Sequence, residues 1–338
     1  MNTKKIFITG AGGYIGSNMV EYFLEKKYEV IALDTFFFGD TLGDLRSHKN
    51  LTIIQGDIRS FDKSALEGVD TVIDLASISN DPASELLPII TQDININGAK
   101  RVATMAKEMG VKKFIFASSC SIYGAGEGIL TEQSKLSPIS VYAKCKIEAE
   151  ESILELADDD FCVTFLRNAT VFGVSKRRMR FDLIINIMTL HAWKSSKISV
   201  MGKGDQWRPL CHVNDVIRAF ELVLEEKDTQ KINKQAFNVG SNKQNYQVYQ
   251  IAELFKQFFP GLVIEKLPED IDPRSYHVNF DKISTILNFQ TTKSIEYGII
   301  EIKEALAHGS IKDGISTRTV EYYKRWMNAQ GSEAPVKN

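Results

Sequence analysis

Tyr142 and Lys146 stand four residues apart in Tyr142-Ala-Lys-Cys-Lys146. On a helix this spacing puts a phenol and an ammonium on one face. A cation beside a phenol favours the phenolate and lowers the tyrosine pKa toward the range a general acid or base needs. The pair alone is common, and its bland alternative is a tyrosine packed at a helix start with a solvated lysine. It becomes specific with Ser118-Ser119 at the C-terminal end of the apolar run Lys113-Phe-Ile-Phe-Ala-Ser-Ser119. The Ser119 hydroxyl is placed to hydrogen-bond an oxygen that gains or loses a proton.

The N-terminus carries a second signal, a site for a dinucleotide. Gly10, Gly13 and Gly16, in Gly10-Ala-Gly-Gly-Tyr-Ile-Gly16, follow the buried-strand run Lys5-Ile-Phe-Ile-Thr9. A helix pattern (Met19, Val20, Phe23, Leu24) starts at once. Strand, glycine turn and helix N-terminus together make a pyrophosphate site, because backbone amides approach closely and the helix dipole favours negative charge. Tyr14 and Ile15 sit in the same turn. Asp34 ends the second strand, Glu29–Asp34. There it would accept the adenosine ribose hydroxyls and repel a 2′-phosphate, so NAD is favoured over NADP. Asp57 with Ile58, after the third strand, is a candidate for the adenine amine; a simple turn aspartate is the alternative. Leu75 and Ala76, closing the fourth strand, complete the expected cofactor contacts.

The elements around these residues alternate. Strands at 5–9, 29–34, 51–57, 71–76, 113–119 and 162–167 are interspersed with helices, among them 93–109 and 141–157. This pattern predicts an α/β fold, a Rossmann-type doubly wound parallel sheet. The second half is less regular. Helix is expected at Phe181–Trp193, Asn214–Glu226, Val248–Phe259 and near 281–288, 294–307 and 316–327, with strands at Ile198–Met201, Ala236–Gly240 and Leu262–Glu265. With no linker visible, a smaller α/β C-terminal domain is read as interleaved with the first. The first domain covers 1–168 plus about 213–240, and the second covers 169–212 and 241–330. The polar tail 331–338 is expected to fray.

Bulk properties exclude several classes. The 338 residues are 43% hydrophobic, enough for a large core, and the net charge of −2 favours no nucleic acid. Cys120, Cys145, Cys162 and Cys211 are scattered without a Cys-x-x-Cys pair, which argues against zinc or a disulfide framework and suits a reducing cytoplasm. No apolar run approaches the ~18 residues of a membrane span. No metal-ligand spacing occurs. His212 is read as orienting its loop, Asp74 as structural, and Trp193 and Trp207 as packing.

Taken together, these residues identify a resemblance to the extended short-chain dehydrogenase/reductases, the nucleotide-sugar epimerase/dehydratase group. It rests on Gly10-x-x-Gly-x-x-Gly16, Asp34, Asp57-Ile58, Asn95-Ile-Asn-Gly98, Ser118-Ser-Cys-Ser-Ile-Tyr-Gly124, Tyr142-x-x-x-Lys146 and Arg208-Pro-Leu-Cys-His-Val-Asn-Asp215. The resemblance implies NAD in the first domain, a nucleotide-diphosphate sugar in the second, and a homodimer formed through helices 93–109 and 141–157. It makes Tyr142 the acid/base, Lys146 its partner on the nicotinamide ribose and Ser119 the third member. It counts Asn95 with the cofactor site, as a residue that orders the active-site helix, and sets Arg208 and Arg274 on the diphosphate. Two departures bear on the reaction. The Asp-Glu pair that follows the Ser/Thr in the 4,6-dehydratases is here Cys120-Ser121, so elimination of water lacks its carboxylates. Thr170 stands where many 4-epimerases carry a phosphate-contacting Asn. Cys120 is counted with the substrate site, as a small buried residue in preference to a reactive thiol. In the basic run Lys176-Arg177-Arg178-x-Arg180, a solvated loop by default, Arg180 is singled out as a ligand contact. The segment from Asn168 to Leu183 resembles a subgroup acting at sugar C4, as epimerases or as dehydrogenases. A 4-epimerase is the leading expectation, a net 4-dehydrogenase or 4-keto-reductase the closest rival, and a non-catalytic NAD sensor the remote one.

Overall fold

The computed structural model describes residues 4–268 and 273–330, so Asp272 and the tail at 331–338 lie outside the described residues. Seven strands form one sheet in the spatial order Gln235–Val239, Cys162–Asn168, Lys113–Ser119, Thr71–Asp74, Lys5–Thr9, Glu29–Asp34, Leu51–Gln55. Every neighbouring pair is parallel. The chain builds outward in one direction from Lys5–Thr9 to Leu51–Gln55, and in the other from Thr71–Asp74 onward. A crevice opens where that direction reverses, at the strand C-terminal ends, and ligands bind there in such sheets.

The strands are apolar runs because both faces are covered. Ile6 and Ile8 pack with Met19, Val20, Val216 and Phe220 on one side. Phe7 between them packs on the other with Val102, Ala106, Ala149 and Ile153. Helices Tyr14–Glu25 and Val213–Glu225 supply the first layer, and Ala99–Glu108 and Val141–Leu154 the second.

Outside this sheet the described residues make three small ones. Thr170–Phe172, Trp207–His212 and Asn245–Gln247 form a three-stranded sheet; Lys197–Met201 pairs with Val263–Leu267, and Ala125–Leu130 with Ser275–Val278. Only the strands near 198–201 and 262–265 were legible beforehand. Ala125–Leu130 carries two glycines and Trp207–His212 a proline, so local propensity opposes both, and tertiary pairing overrides it.

Helix bounds also differ. The helix expected at 93–109 is Pro88–Gln92, a π-helical turn at Asp93–Gly98 and then Ala99–Glu108. The one expected at 181–193 runs Ile184–Ser195, Val248–Leu254 ends before a 3-10 turn at Phe255–Gln257, and the last helix is Thr319–Gln330. Among the described residues no helix is long and apolar enough to cross a membrane.

Candidate active site

A cavity of about 660 Å³ occupies the crevice. Its floor begins with the glycine loop. Gly10 has φ +63°, and a Cβ there would stand 2.7 Å from the Ala76 amide nitrogen. A Cβ on Gly16 would stand 2.2 Å from the Gly10 carbonyl oxygen. Only glycine lets this loop close onto the start of helix Tyr14–Glu25. That helix has no side-chain cap and no acid in its first turn, which leaves its dipole directed at an incoming anion.

Gly13, Ile15, Ile58, Leu75 and Ala76 all line the cavity. So does Tyr14, although its hydroxyl is occupied elsewhere, donating to the Gly173 carbonyl at 2.7 Å. Asp34 accepts from the amides of Gly12 (2.9 Å) and Phe36 (2.7 Å), which fixes it at the cavity edge. Burial raises its carboxyl pKa, and the two amides pull back. Asp57 also lines the cavity, gripped by the Arg59 guanidinium at 3.0 and 2.8 Å. Burial would raise its pKa, but Arg59 outweighs it and holds the carboxyl below its usual range.

Ser140 caps helix Val141–Leu154, its hydroxyl accepting from the Ala143 amide at 3.1 Å. The cap sets Tyr142 in the first turn, half-buried and facing the cavity, with Ser119 as its hydrogen-bonding neighbour. Lys146, one turn on, donates to the Ala117 carbonyl at 2.7 Å and is 2% exposed. Burial lowers its pKa to about 8, opposed by the charges of Asp74 and Glu150.

The lowered Tyr142 pKa is expected from the lysine together with a nicotinamide ring, and in the protein alone the balance runs the other way. Burial pushes the phenol above its ordinary value, and the Asp81 carboxylate adds to that. Ser119 and Arg180 act in the opposite direction. The Lys146 ammonium stands 5.8 Å from the Tyr142 ring centre and is occupied by Ala117, so it does not dominate.

Thr170, Arg180, Arg208 and Arg274 line the other half of the cavity. Arg180 is 8% exposed and binds Asp182 through two bonds, 3.0 and 2.8 Å, while reaching the Ser79 hydroxyl at 3.2 Å. Arg208 donates to the Trp207 carbonyl at 2.9 Å and to that of Arg274. Arg274 pairs with Asp81, which also accepts from the Ser140 hydroxyl.

Two expected site residues stand elsewhere. Cys120 is not in the cavity wall; its thiol points into the core toward the Arg167 carbonyl at 3.2 Å, and burial raises its pKa. Asn95 lies behind the wall. Its amide spends both polar atoms on Ile78, accepting from that amide at 2.9 Å and donating to that carbonyl at 3.1 Å. It therefore positions a cavity segment without meeting a ligand itself.

Sequence reasoning missed Ser79, Asp81 and Asp182, because nothing local marks a loop that folds back over a site. The basic run at 176–180 is not a solvated face either: Arg177 pairs with Glu21 and Asp44, and Arg178 is 4% exposed. His212 caps helix Val213–Glu225 and meets Glu301 at 3.0 Å. Trp207 stacks on His277 at 4.5 Å, and Trp193 is 43% exposed.

Four buried side-chain atoms in the wall have no protein partner among the described residues: the hydroxyls of Ser118 and Ser121 and the side-chain amide oxygens of Asn168 and Gln206. A site with this many unspent hydrogen-bonding groups is built to hold a polar ligand. The glycine cradle, Asp34 at the cavity edge and these groups fit a dinucleotide with a second polar ligand beside it.

The family model described as NAD dependent epimerase/dehydratase matches residues 6–240, and the chain belongs to that family. It is an NAD-dependent enzyme of the nucleotide-sugar group. It is 31% identical over 235 residues to an uncharacterised UDP-glucose epimerase, YtcB, of Bacillus subtilis (strain 168), across 65% of this chain and 72% of that protein. It is 26% identical over 313 residues to the UDP-glucuronate 4-epimerase of Thermodesulfobacterium geofontis (strain OPF15), across 86% and 93%. In fold it matches the UDP-glucuronic acid 4-epimerase of Bacillus cereus, solved with UDP-glucuronic acid and NAD, at TM-score 0.80, 24% identity and 90% and 99% coverage.

Proposed function

We propose that the chain is a nucleotide-sugar 4-epimerase acting on a UDP-linked sugar. The observation that carries this reading is the convergence of Ser119, Tyr142 and Lys146 on one cavity wall, beside the glycine loop. NAD, when bound, supplies a hydride acceptor and donor at its nicotinamide ring. Tyr142 takes the proton of the C4 hydroxyl and later returns it. Ser119 hydrogen-bonds the same sugar oxygen and steadies it in both states. Lys146 brings the cation that lowers the cost of a buried phenolate, a requirement made sharper by the burial and Asp81 effects on Tyr142. Arg208 and Arg274 both line the cavity, and their guanidinium forks suit the oxygens of the substrate diphosphate. The sugar loses hydride from C4 and the hydroxyl proton to become the 4-ketone, turns, and takes the hydride back on the other face of C4 and the proton back on its oxygen, so no cofactor is consumed.

The test is a panel of UDP-sugars read by NMR, with NADH followed at the same time. A C4 epimer without accumulating NADH is expected; a released 4-ketone with stoichiometric NADH makes the enzyme a net dehydrogenase instead. Tyr142→Phe is expected to lose roughly 10²–10⁴-fold in turnover while keeping its NAD. Retention of more than about a tenth of wild-type turnover removes Tyr142 from the acid/base role.

A further inference from the structure

The helix that carries Tyr142, Val141–Leu154, opens with amides that no turn of its own can bond. Ser140 accepts from one of them, the Ala143 amide. The two before it are bonded from a different helix, Asp81–Leu86. The Ser84 hydroxyl accepts from the Tyr142 amide at 3.1 Å, and the Glu85 carboxylate accepts from the Val141 amide at 2.9 Å. Ser84 is fully buried and gives its own proton to the Asp81 carbonyl at 2.7 Å, which turns a lone pair toward Tyr142. The Asp81 carboxylate accepts from the Ser140 hydroxyl itself. The start of one helix is thus held by three side chains of another.

The short helix is itself tied to the substrate half of the cavity. Asn80 caps it by accepting from the Ala83 amide at 2.7 Å, and donates at 2.8 Å to Asp182, the carboxylate that grips Arg180. Asp81 also pairs with Arg274. The charged and titratable groups around the first turn are Asp81 and Glu85 of this helix, Arg180, Tyr276 of strand Ser275–Val278, and Lys146 one turn further along, with the Ser119 hydroxyl beside them. Among the charges acting on the phenol, Asp81 has the largest effect. Helix Val141–Leu154 has no acid in its own first turn, so Asp81 and Glu85 bring negative charge to the positive end of its dipole.

We infer that Asp81, Ser84 and Glu85 are positioning residues for the proton transfer, a clamp that acts through Tyr142. Ser84 and Glu85 fix the turn that aims Tyr142 into the cavity beside Ser119. Asp81 holds the Ser140 cap and sets the charge next to the phenol. A proton-transfer group displaced by about 1 Å loses on the order of a hundredfold in rate, so a buried hydroxyl spent on one backbone amide is well used here. The inference rests on Tyr142 as the acid/base, the reading proposed above.

The experiment uses the full chain with NAD added, as wild type, Ser84→Ala and Asp81→Asn. Turnover is followed across pH on a panel of UDP-sugars, as C4 epimer by NMR and as NADH in parallel. Hydrogen exchange is measured on the peptide covering 140–144, with melting temperature as a check on folding. Ser84→Ala removes the acceptor of the Tyr142 amide. It is expected to exchange faster in that peptide and to lose roughly ten- to a hundredfold in kcat with KM within about threefold, because the loss falls on the transition state. Its acid limb should stay in place. Asp81→Asn keeps the shape and removes the charge. Losing an anion favours the phenolate, so the acid limb of kcat/KM should move to lower pH, by roughly half a unit to one unit. Unchanged exchange in Ser84→Ala overturns the clamp. Faster exchange with wild-type kcat overturns the positioning role, since the turn then loosens at no cost to the chemistry. A raised KM with kcat unchanged assigns these residues to substrate binding and also overturns it. An acid limb that stays fixed in Asp81→Asn, with a lowered melting temperature, reduces Asp81 to a structural residue. Neither epimer nor NADH from wild type on any UDP-sugar, with fast exchange in Ser84→Ala, overturns the proposed function and leaves the clamp standing.

Discussion

Asn95→Leu isolates what holds the cavity wall at Ile78 and Ser79. Asn95 is 1% exposed and its amide makes two bonds to Ile78, at 2.9 and 3.1 Å. Leucine keeps the branching but is larger, so no cavity opens, and an overpacking cost adds to the polar one worked here. The Ile78 carbonyl keeps a second donor, the Ser77 hydroxyl at 3.3 Å. The Ile78 amide loses its side-chain acceptor while the residue stays 3% exposed. Two lost bonds at about 1 kcal/mol each, plus about 1–3 kcal/mol for a buried orphaned donor, give about 3 kcal/mol after allowing for the retained Ser77 contact. That is on the order of a hundredfold in the local opening equilibrium. Hydrogen exchange on the peptide covering 75–80 is the direct assay, with the urea midpoint as a global check. The expected result is a roughly hundredfold loss of protection there, together with weaker NAD retention, because Ile78 and Ser79 line the cavity. Unchanged protection and an unchanged midpoint would falsify the view that this amide positions the wall.

Cys120→Ala should keep turnover within about twofold of wild type, since the thiol faces the core, and cost about 1 kcal/mol of stability by urea titration. A loss of turnover above tenfold, with the fold intact, returns the thiol to the chemistry. Asp74 is 1% exposed, and burial raises its carboxyl pKa from 3.8 to about 6. The folded chain holds this proton more tightly than the unfolded one. Its stabilisation is complete below pH 3.8 and is lost as pH rises through about 6, by ~3 kcal/mol in all. In Asp74→Asn that dependence disappears, so the difference between wild-type and variant urea midpoints should change across this window. Parallel curves from about pH 4 to pH 7 refute the assignment.

The cofactor half of the site was legible because its chemistry is local. Gly10 to Gly16 form one turn between a strand and a helix, Asp34 ends the next strand, and Tyr142 and Lys146 share one helical turn. Each needs only a few consecutive residues, and backbone geometry does the rest. The same holds for the seven sheet strands, whose apolar runs report burial on both faces.

The substrate half was read less completely. Arg180 is oriented by Asp182, Ser79 and the segment that Asn95 holds; Arg274 is set by Asp81, 193 positions away. Cys120 and Asn95 follow Ser119 and Asp93 in suggestive motifs, yet side-chain direction turned both away from the cavity. The run at 176–180 looked like a charged face, and packing against Phe38 and Thr319 made one of its arginines part of a cavity wall.

Sequence by itself determined the nucleotide fold and the use of NAD, and it singled out Ser119, Tyr142 and Lys146 as the proposed proton-transfer set, since short-range spacing sets which groups share a turn or a face. Tertiary structure alone decided which charges are paired, which way burial shifts Tyr142, and that the last helix lines the cavity through Thr319, Val320 and Tyr323. Those outcomes depend on burial and on partners distant in the chain, and neither quantity is carried by spacing.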